Sequence, residues 1–451
     1  MVFITALITP PFQSPDEPNH FARAEQVSRL ELIPAFTYDK AHPPTKADSI
    51  SSDPKITYPD KGGFTVDKGI YALDHAYVAL EHNAQVKLNA ANTNSARSLK
   101  WKTGNIYFNF GNTAIYPPVV YIMQALGIGI GKVFNLSIQN TLYISRILNG
   151  LLSIAMCFVA LCLAKRSGIL LFVVLLFPMT VSLFASVSQD AVLISCCFLL
   201  TAIIDSVEFA DGKFYSKPKL AALIILMAII GLAKPPYILF AFLFLFLKLS
   251  PKQKAIGIII PFSALIFWLI INHGAFMIKF APPEMRLNSK LQVQHILQQP
   301  FQFIGMFFSF DKAGLLNIAY MFVGVLGWLD LQMPGHYYLA AYVCLFLAGY
   351  VGINFKGNIK IRAVLIICSF ATVIAVITAQ YVTWVALAST SFGGMQGRYL
   401  IPVYPFLALA FCAEPGFLKN VGFKTVILST VLLFPVYTAV TMIHELLGRY
   451  Y

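Results

Sequence analysis

Charge is scarce in this chain. Only 12% of its 451 residues are Asp, Glu, Lys or Arg, 58% are hydrophobic, and mean hydropathy is +0.70, so the core of a water-soluble protein cannot account for it. Acid is scarcer still, with 20 Asp and Glu against 33 Lys and Arg and a net charge of +13. That excess does not point to nucleic acid. The basic residues collect in short stretches between apolar runs, at Lys165-Arg166, Lys213 to Lys219, Lys248 to Lys254, Lys356 to Arg362 and Lys419 to Lys424, which is the positive-inside pattern of a membrane protein. Paired Cys-x-x-Cys spacing is missing. The seven cysteines (Cys157, Cys162, Cys196, Cys197, Cys344, Cys368 and Cys412) lie in or at the ends of apolar segments, as packing residues do rather than metal ligands. Internal repeats and low-complexity tails are absent too. The apolar start, Met1 to Pro11, lacks the basic flank of a signal peptide and is too short to span, so it reads as a partial first transmembrane helix.

What the chain has is long apolar runs, among them Ile169 to Ser186, Ala255 to Ile271, Tyr338 to Ile353 and Val426 to Met442. Their lengths suit helices crossing a hydrocarbon core of roughly 30 Å. The sequence predicts an all-α polytopic membrane protein of about 9–12 transmembrane helices, divided into residues 1–11 (partial helix), 12–110 (a large external loop) and 111–451 (the bundle). Within the loop, Leu73, Tyr77 and Leu80 recur at helical spacing and predict an amphipathic helix, whereas "HPPTKADSISSDPKITYPDKGGF" is punctuated like a loop. Two further external stretches are expected at His273 to Pro300 and Ser389 to Tyr399. Parity between the external loop and Lys165-Arg166 requires "IYPPVVYIMQALGIGIGK" to be a short or re-entrant helix opened by its proline pair. The run containing Lys234-Pro235-Pro236 has two basic ends and reads as a hairpin on the cytoplasmic side. Its external counterpart would break at Asp311 to Gly314.

The stretch "TPPFQSPDEPNHFARAEQ" sets two carboxylates, Asp16 and Glu17, between Pro15 and Pro18. Such a turn is stiff. A carboxylate fixed there can act as a general base toward a hydroxyl, a role worth typically about 10²–10⁴ in rate, or bind a divalent cation through oxygen. The plainer alternative is that both cap the following helix. Arg398, in "GGMQGRYLIP", precedes an apolar helix at headgroup depth, where a guanidinium can grip a lipid phosphate bidentately or simply snorkel. Lys234 lies inside an apolar run, where a charge is costly and functional by default, yet a cytoplasmic hairpin would keep it from an external phosphate. Asp190 falls at the outer end of a helix and can face a cavity. His20 is one turn from Asp16 and can bind acceptor or metal, although a lone His is more often structural.

Seven ordered motifs, "SPDEPNHFARA", "YPPVVY", "SRILNG", "FPMTVSLFASVSQDA", "LAKPPY", "GVLGWLD" and "QGRYLIP", cover nearly the whole chain. With them the sequence resembles a domain-of-unknown-function family of bacterial polytopic membrane proteins related to the GT-C glycosyltransferases. The resemblance implies a GT-C-like bundle in the bacterial inner membrane with its active site facing the exterior. It implies transfer of a monosaccharide, glucose being one candidate, from a polyprenyl-phosphate donor to a glycan acceptor such as O-antigen, with inversion. A glycan polymerase or ligase, or a lipid-linked glycan transporter, is the alternative. By the same resemblance Asp16 is the catalytic base and Glu17 its partner, and Arg398, Lys234 and Arg146 bind the donor phosphate. His20, Arg23, Asp190, Asp330 and Tyr399 are further cavity candidates. The one cofactor candidate is a divalent cation, magnesium or manganese, on Asp16 and Glu17. The expected partners are the donor, the acceptor and the bilayer, with no nucleic acid.

Overall fold

The computed structural model describes residues 1–38, 62–102, 104–208, 214–276, 287–352, 359–412 and 421–451. Most of the expected "HPPTKADSISSDPKITYPDKGGF" loop, the segment 281–286, and the basic residues Lys213, Lys356 and Lys419 lie outside the described residues. Five helices among those described are long and apolar enough to cross a bilayer: Ile138–Leu163, Gln189–Glu208, Pro251–Ile271, Ile359–Trp384 and Thr425–Tyr450. The chain is a predominantly α-helical, multi-pass membrane protein. The larger count suggested by run length is reduced because proline cuts several apolar runs into shorter pieces, which it does by removing an N–H and clashing with the preceding turn. Examples are Gly168–Leu175 followed by Pro178–Phe184, and Lys217–Ala233 followed by the 3₁₀ segment Pro235–Leu245.

Helix Gln189–Glu208 is the axis of the bundle. Nearly every residue of it is buried, consistent with a sequence that is apolar around its circumference. Its two ends define the two ends of the molecule. At one, Asp205 Oδ2 accepts the backbone N–H groups of Lys165, Arg166 and Ser167, each at 3.0 Å, and Glu208 Oε1 accepts that of Lys248 at 2.7 Å. The Lys165-Arg166 and Lys248 stretches therefore meet at this end. At the other end stands Asp190, beneath the polar N-terminal region.

That region is not all-α. It contains a three-stranded antiparallel sheet, Thr37–Tyr38, Gly62–Asp67 and Asn105–Phe108, with Phe64 opposite Phe108. A second, two-stranded pairing joins Val325–Leu326 to Leu331–Gln332. The expected amphipathic helix is present as Lys68–Tyr77 and a 3₁₀ turn Val78–Leu80, burying Leu73, Tyr77 and Leu80. The region rests on the first turns of Ile138–Leu163, where Tyr77 Oη donates to Gln139 Oε1 at 3.1 Å and Trp101 Nε1 to Thr141 Oγ1 at 3.0 Å.

The proline-opened run forms a 3₁₀ turn, Pro118–Tyr121, and a 12-residue helix, Ile122–Val133. At about 1.5 Å per residue this helix is about 18 Å long, shorter than a hydrocarbon core of roughly 30 Å. It folds back against Ile138–Leu163, and a Cβ on Gly127 or Gly131 would fall 2.7 Å from Ser145 Cα or 2.1 Å from Thr141 Oγ1. Glycines four apart on one face allow this close approach. The break expected at Asp311 to Gly314 lies earlier, between the helices Pro300–Met306 and Lys312–Gly324, because Asp311 Oδ1 accepts Gly314 N–H at 2.8 Å and caps the second helix, which makes Lys312 to Gly314 its first turn.

Candidate functional site

Two adjacent carboxylates on a helix start cannot share one direction. Asp16 occupies the N-cap position of helix Glu17–Ser28 in the left-handed region, φ 62°, a conformation that Asp tolerates better than most side chains. Its side chain makes no cap bond, so the capping alternative fails for it. Instead Oδ1 accepts from Asn112 Nδ2 at 3.1 Å and Oδ2 lies 3.5 Å from Arg398 Nη2. The side chain is 37% exposed, where that of Arg398 is 8%.

Four charges converge there, two of each sign. Asp190 places Oδ1 at 3.7 Å from Lys234 Nζ and Oδ2 at 4.0 Å from Arg398 Nε. Both separations exceed hydrogen-bond length. Arg398 Nε is buried and has no hydrogen-bond partner. Tyr399 supports both cations, with Lys234 Nζ 3.7 Å from its ring centroid and the guanidinium carbon of Arg398 at 5.4 Å, geometry suited to cation–π attraction. Its carbonyl accepts Tyr237 Oη at 2.5 Å, which ties the Arg398 turn to the Lys234 hairpin. The turn also depends on Gly397. A Cβ there would lie 2.2 Å from Ile318 O and 2.3 Å from Phe322 N, so only glycine lets it press against helix Lys312–Gly324. Ser14, Ser182, Ser186 and Ser188 line a small cavity beside Arg398.

Lys234 corrects the hairpin expectation. Both basic ends do lie on one side, but the 17-residue arm Lys217–Ala233, about 25 Å long, carries the tip across to the Asp16 end.

His20 closes the other wall. Its Nδ1 is 2.7 Å from Tyr121 Oη and its ring stacks on Tyr116 with centroids 6.0 Å apart. Burial holds its pKa down at about 4, with Asp16 and Asp190 pulling weakly the other way. The imidazole is neutral at pH 7. Because the folded value lies below the unfolded 6.5, the unfolded chain takes up more protons between these values, and stability falls as pH drops through that window. We expect His20→Gln to lessen the loss of unfolding free energy between pH 7.5 and pH 5, by about 2 kcal/mol. Equal losses in both proteins, measured by thermal or denaturant unfolding in detergent, would refute a buried neutral His20.

Other expected site residues stand elsewhere. Glu17 is fully buried against Arg146. Arg146 Nε donates to Glu17 Oε1 at 2.8 Å and Nη2 to Oε2 at 2.5 Å; the rest of the guanidinium donates to Ala6 O, Thr9 O and Pro10 O at 2.9, 2.7 and 3.0 Å. All five N–H groups of an arginine are thereby accounted for, and none points to the Arg398 site. Glu17 Oε1 also accepts Val187 N–H at 2.9 Å. The pair pins the N-terminal helix Val2–Ile8 and the Asp16 turn to the bundle. With Glu17 so committed, it does not share a cation with Asp16, and among the described residues no group of three or more His, Cys, Asp or Glu gathers as metal ligands would. Arg23 is buried, donating to Gln26 Oε1 and to the carbonyls of Glu31, Leu32 and Tyr116. Asp330 accepts from Arg449 at 2.6 and 3.0 Å, fastening the end of the last helix. Asn112, Tyr116, Tyr121 and Tyr237 join the site unanticipated. The prolines beside Tyr116 and Tyr237 were the available signal; Asn112 had none.

No curated protein and no solved structure matches this chain. A family model does, over residues 1–407, a range that takes in Asp16, Asp190, Lys234 and Arg398 together. The chain belongs to the family described as "Predicted membrane protein (DUF2142)".

Proposed function

We infer that the protein is a membrane glycosyltransferase of GT-C type, moving a monosaccharide from a polyprenyl-phosphate donor to a glycan acceptor at the external face of the bacterial inner membrane. The observation that carries this reading is the contrast between two kinds of ion pair. Glu17 with Arg146 and Asp330 with Arg449 are tight, at 2.5 and 2.6 Å. Asp16, Asp190, Lys234 and Arg398 stand 3.5 to 4.0 Å apart. Tight pairs are spent on structure, whereas loose charges in a partly buried site keep their capacity for a ligand.

In this reading Arg398 and Lys234 take the donor phosphate, and the sugar lies toward Asp16. The acceptor oxygen attacks the anomeric carbon from the face opposite phosphate and a new C–O bond forms. The bond from that carbon to the phosphate oxygen breaks, its electron pair leaves with polyprenyl phosphate, and the acceptor proton passes to the Asp16 carboxylate. A single displacement inverts the centre. Charge develops on the leaving phosphate, so fixed cations are the main electrostatic aid.

The test is donor binding to purified full-length protein. Arg398→Lys keeps the charge but loses the two-pronged geometry, and donor affinity should weaken by about 1–3 kcal/mol; Arg398→Ala should weaken it further. If both variants bind polyprenyl-phosphate sugar as wild type does, Arg398 is an interfacial anchor and the phosphate site is not here.

A further inference from the structure

We propose that Asp190 sets the site's preference for a carrier with one phosphate over one with two. The proposal rests on the lipid-phosphate reading of the same site.

Asp190 sits between the cations, one oxygen toward each, at 3.7 Å from Lys234 Nζ and 4.0 Å from Arg398 Nε. It forms no short hydrogen bond with either. Its side chain is 9% exposed and that of Arg398 8%, with Lys234 at 16%, so these three charges are little screened by water. The Asp190 backbone is fixed as well, in the first turn of the buried axial helix, with its N–H donating to Ser188 Oγ at 3.1 Å. Asp16 is different. It is more exposed and is the group that must turn to an acceptor. The fixed set facing a phosphate is therefore Lys234, Arg398 and Asp190, which sums to one positive charge.

A sugar joined to a lipid through one phosphate is a phosphodiester with one negative charge at neutral pH. The fixed set balances it. A diphosphate linkage brings two, and the second would be buried without a counter-charge, which is costly. Specificity here comes from an excluded alternative as much as from attraction. The same balance favours release. After transfer the carrier is a phosphate monoester whose charge approaches about −1.5 to −2 at pH 7, as for other phosphate monoesters, and it no longer matches a site of +1.

The probes need no sugar. Short-chain polyprenyl methyl phosphate carries one charge and polyprenyl methyl diphosphate carries two. Binding of each to the full-length protein in detergent is measured for wild type, Asp190→Asn and Asp190→Glu, with unfolding temperatures confirming that each variant folds. Wild type should prefer the monophosphate by about tenfold or more, the scale of one uncompensated charge several ångströms away in a partly buried site. Asp190→Asn should lose or reverse that preference, mainly through tighter binding of the diphosphate, while Asp190→Glu should keep it. An unchanged ratio in Asp190→Asn, or no preference in wild type, overturns the role of Asp190 and leaves the lipid-phosphate reading standing. Binding of neither probe by wild type removes both. Should Asp190→Asn fail to fold, Asp190→Glu and Lys234→Met decide: Lys234→Met lowers the fixed sum to zero, so it should weaken the diphosphate more than the monophosphate, and equal weakening would refute the charge balance.

Discussion

Asp16→Asn protein, inserted and folded normally, should transfer sugar from a polyprenyl-phosphate donor about 10²–10⁴-fold more slowly than wild type, the usual worth of a general base. The amide keeps the size of the side chain and can still face Asn112, so the turn should survive. What it loses is the ability to take a proton. Asp16 has the geometry for that role. It is held in the left-handed region at the start of a helix whose other side chains are nearly all buried, its own side chain remains partly exposed, and no cap bond consumes it. Donor affinity supplies the control. Because Asp16 Oδ2 lies 3.5 Å from Arg398 Nη2, removing its charge leaves the guanidinium freer to meet phosphate, so donor binding should hold or tighten while turnover collapses. Retention of more than about a tenth of the wild-type rate would remove Asp16 from catalysis, since a base contributes roughly 10²-fold at least.

How much of this was legible depends on what kind of signal each residue left. Asp16 stood out because prolines bracket it in a polar stretch next to an apolar one, a local pattern that needs no tertiary knowledge. Of the five long helices, Pro251–Ile271 and Thr425–Tyr450 coincide with apolar runs legible from length and hydropathy for a similarly local reason, whereas the run Ile169 to Ser186 is cut at Pro178 into two short helices. Glu17 misled because adjacency in sequence suggests a shared role, whereas at a helix start successive side chains diverge by about 100°. One therefore faces the cavity and the other the bundle. The family resemblance implies a phosphate-binding role for Arg146, and nothing local in its sequence signals the pairing with Glu17. Its helix is apolar enough to span, and only the assembled fold shows five acceptors around its guanidinium. The basic ends of the Lys234 run fix where the hairpin starts and stops, and say nothing about how far its tip reaches, so the sequence alone puts Lys234 on the wrong side. The small sheet at Thr37–Tyr38, Gly62–Asp67 and Asn105–Phe108 escaped because its strands are short, and the pairing of Phe64 with Phe108 spans more than forty residues.

The Glu17–Arg146 pair carries the other large expected effect, on the fold rather than on chemistry. Arg146→Ala would leave Glu17 in a site with no exposure and would also take a donor from the carbonyls of Ala6, Thr9 and Pro10, of which Pro10 keeps the Gln13 N–H at 3.3 Å. Breaking one side of a buried pair costs about 3–5 kcal/mol, so the variant should unfold well below wild type in detergent or fail to accumulate in the membrane. Arg146→Lys keeps the charge, but an ammonium has three donors where the guanidinium has five, and should recover only part of the loss. The double variant Glu17→Gln, Arg146→Met removes both charges and should be less damaged than Arg146→Ala alone, because no uncompensated charge remains. This ordering separates a structural pair from a ligand-binding one. If Arg146→Ala keeps wild-type unfolding behaviour and loses donor affinity instead, the guanidinium serves phosphate after all and the Asp16 turn is anchored by something else. If stability falls in the order stated while the surviving protein binds donor normally, Arg146 is the strut that holds Asp16 opposite Arg398.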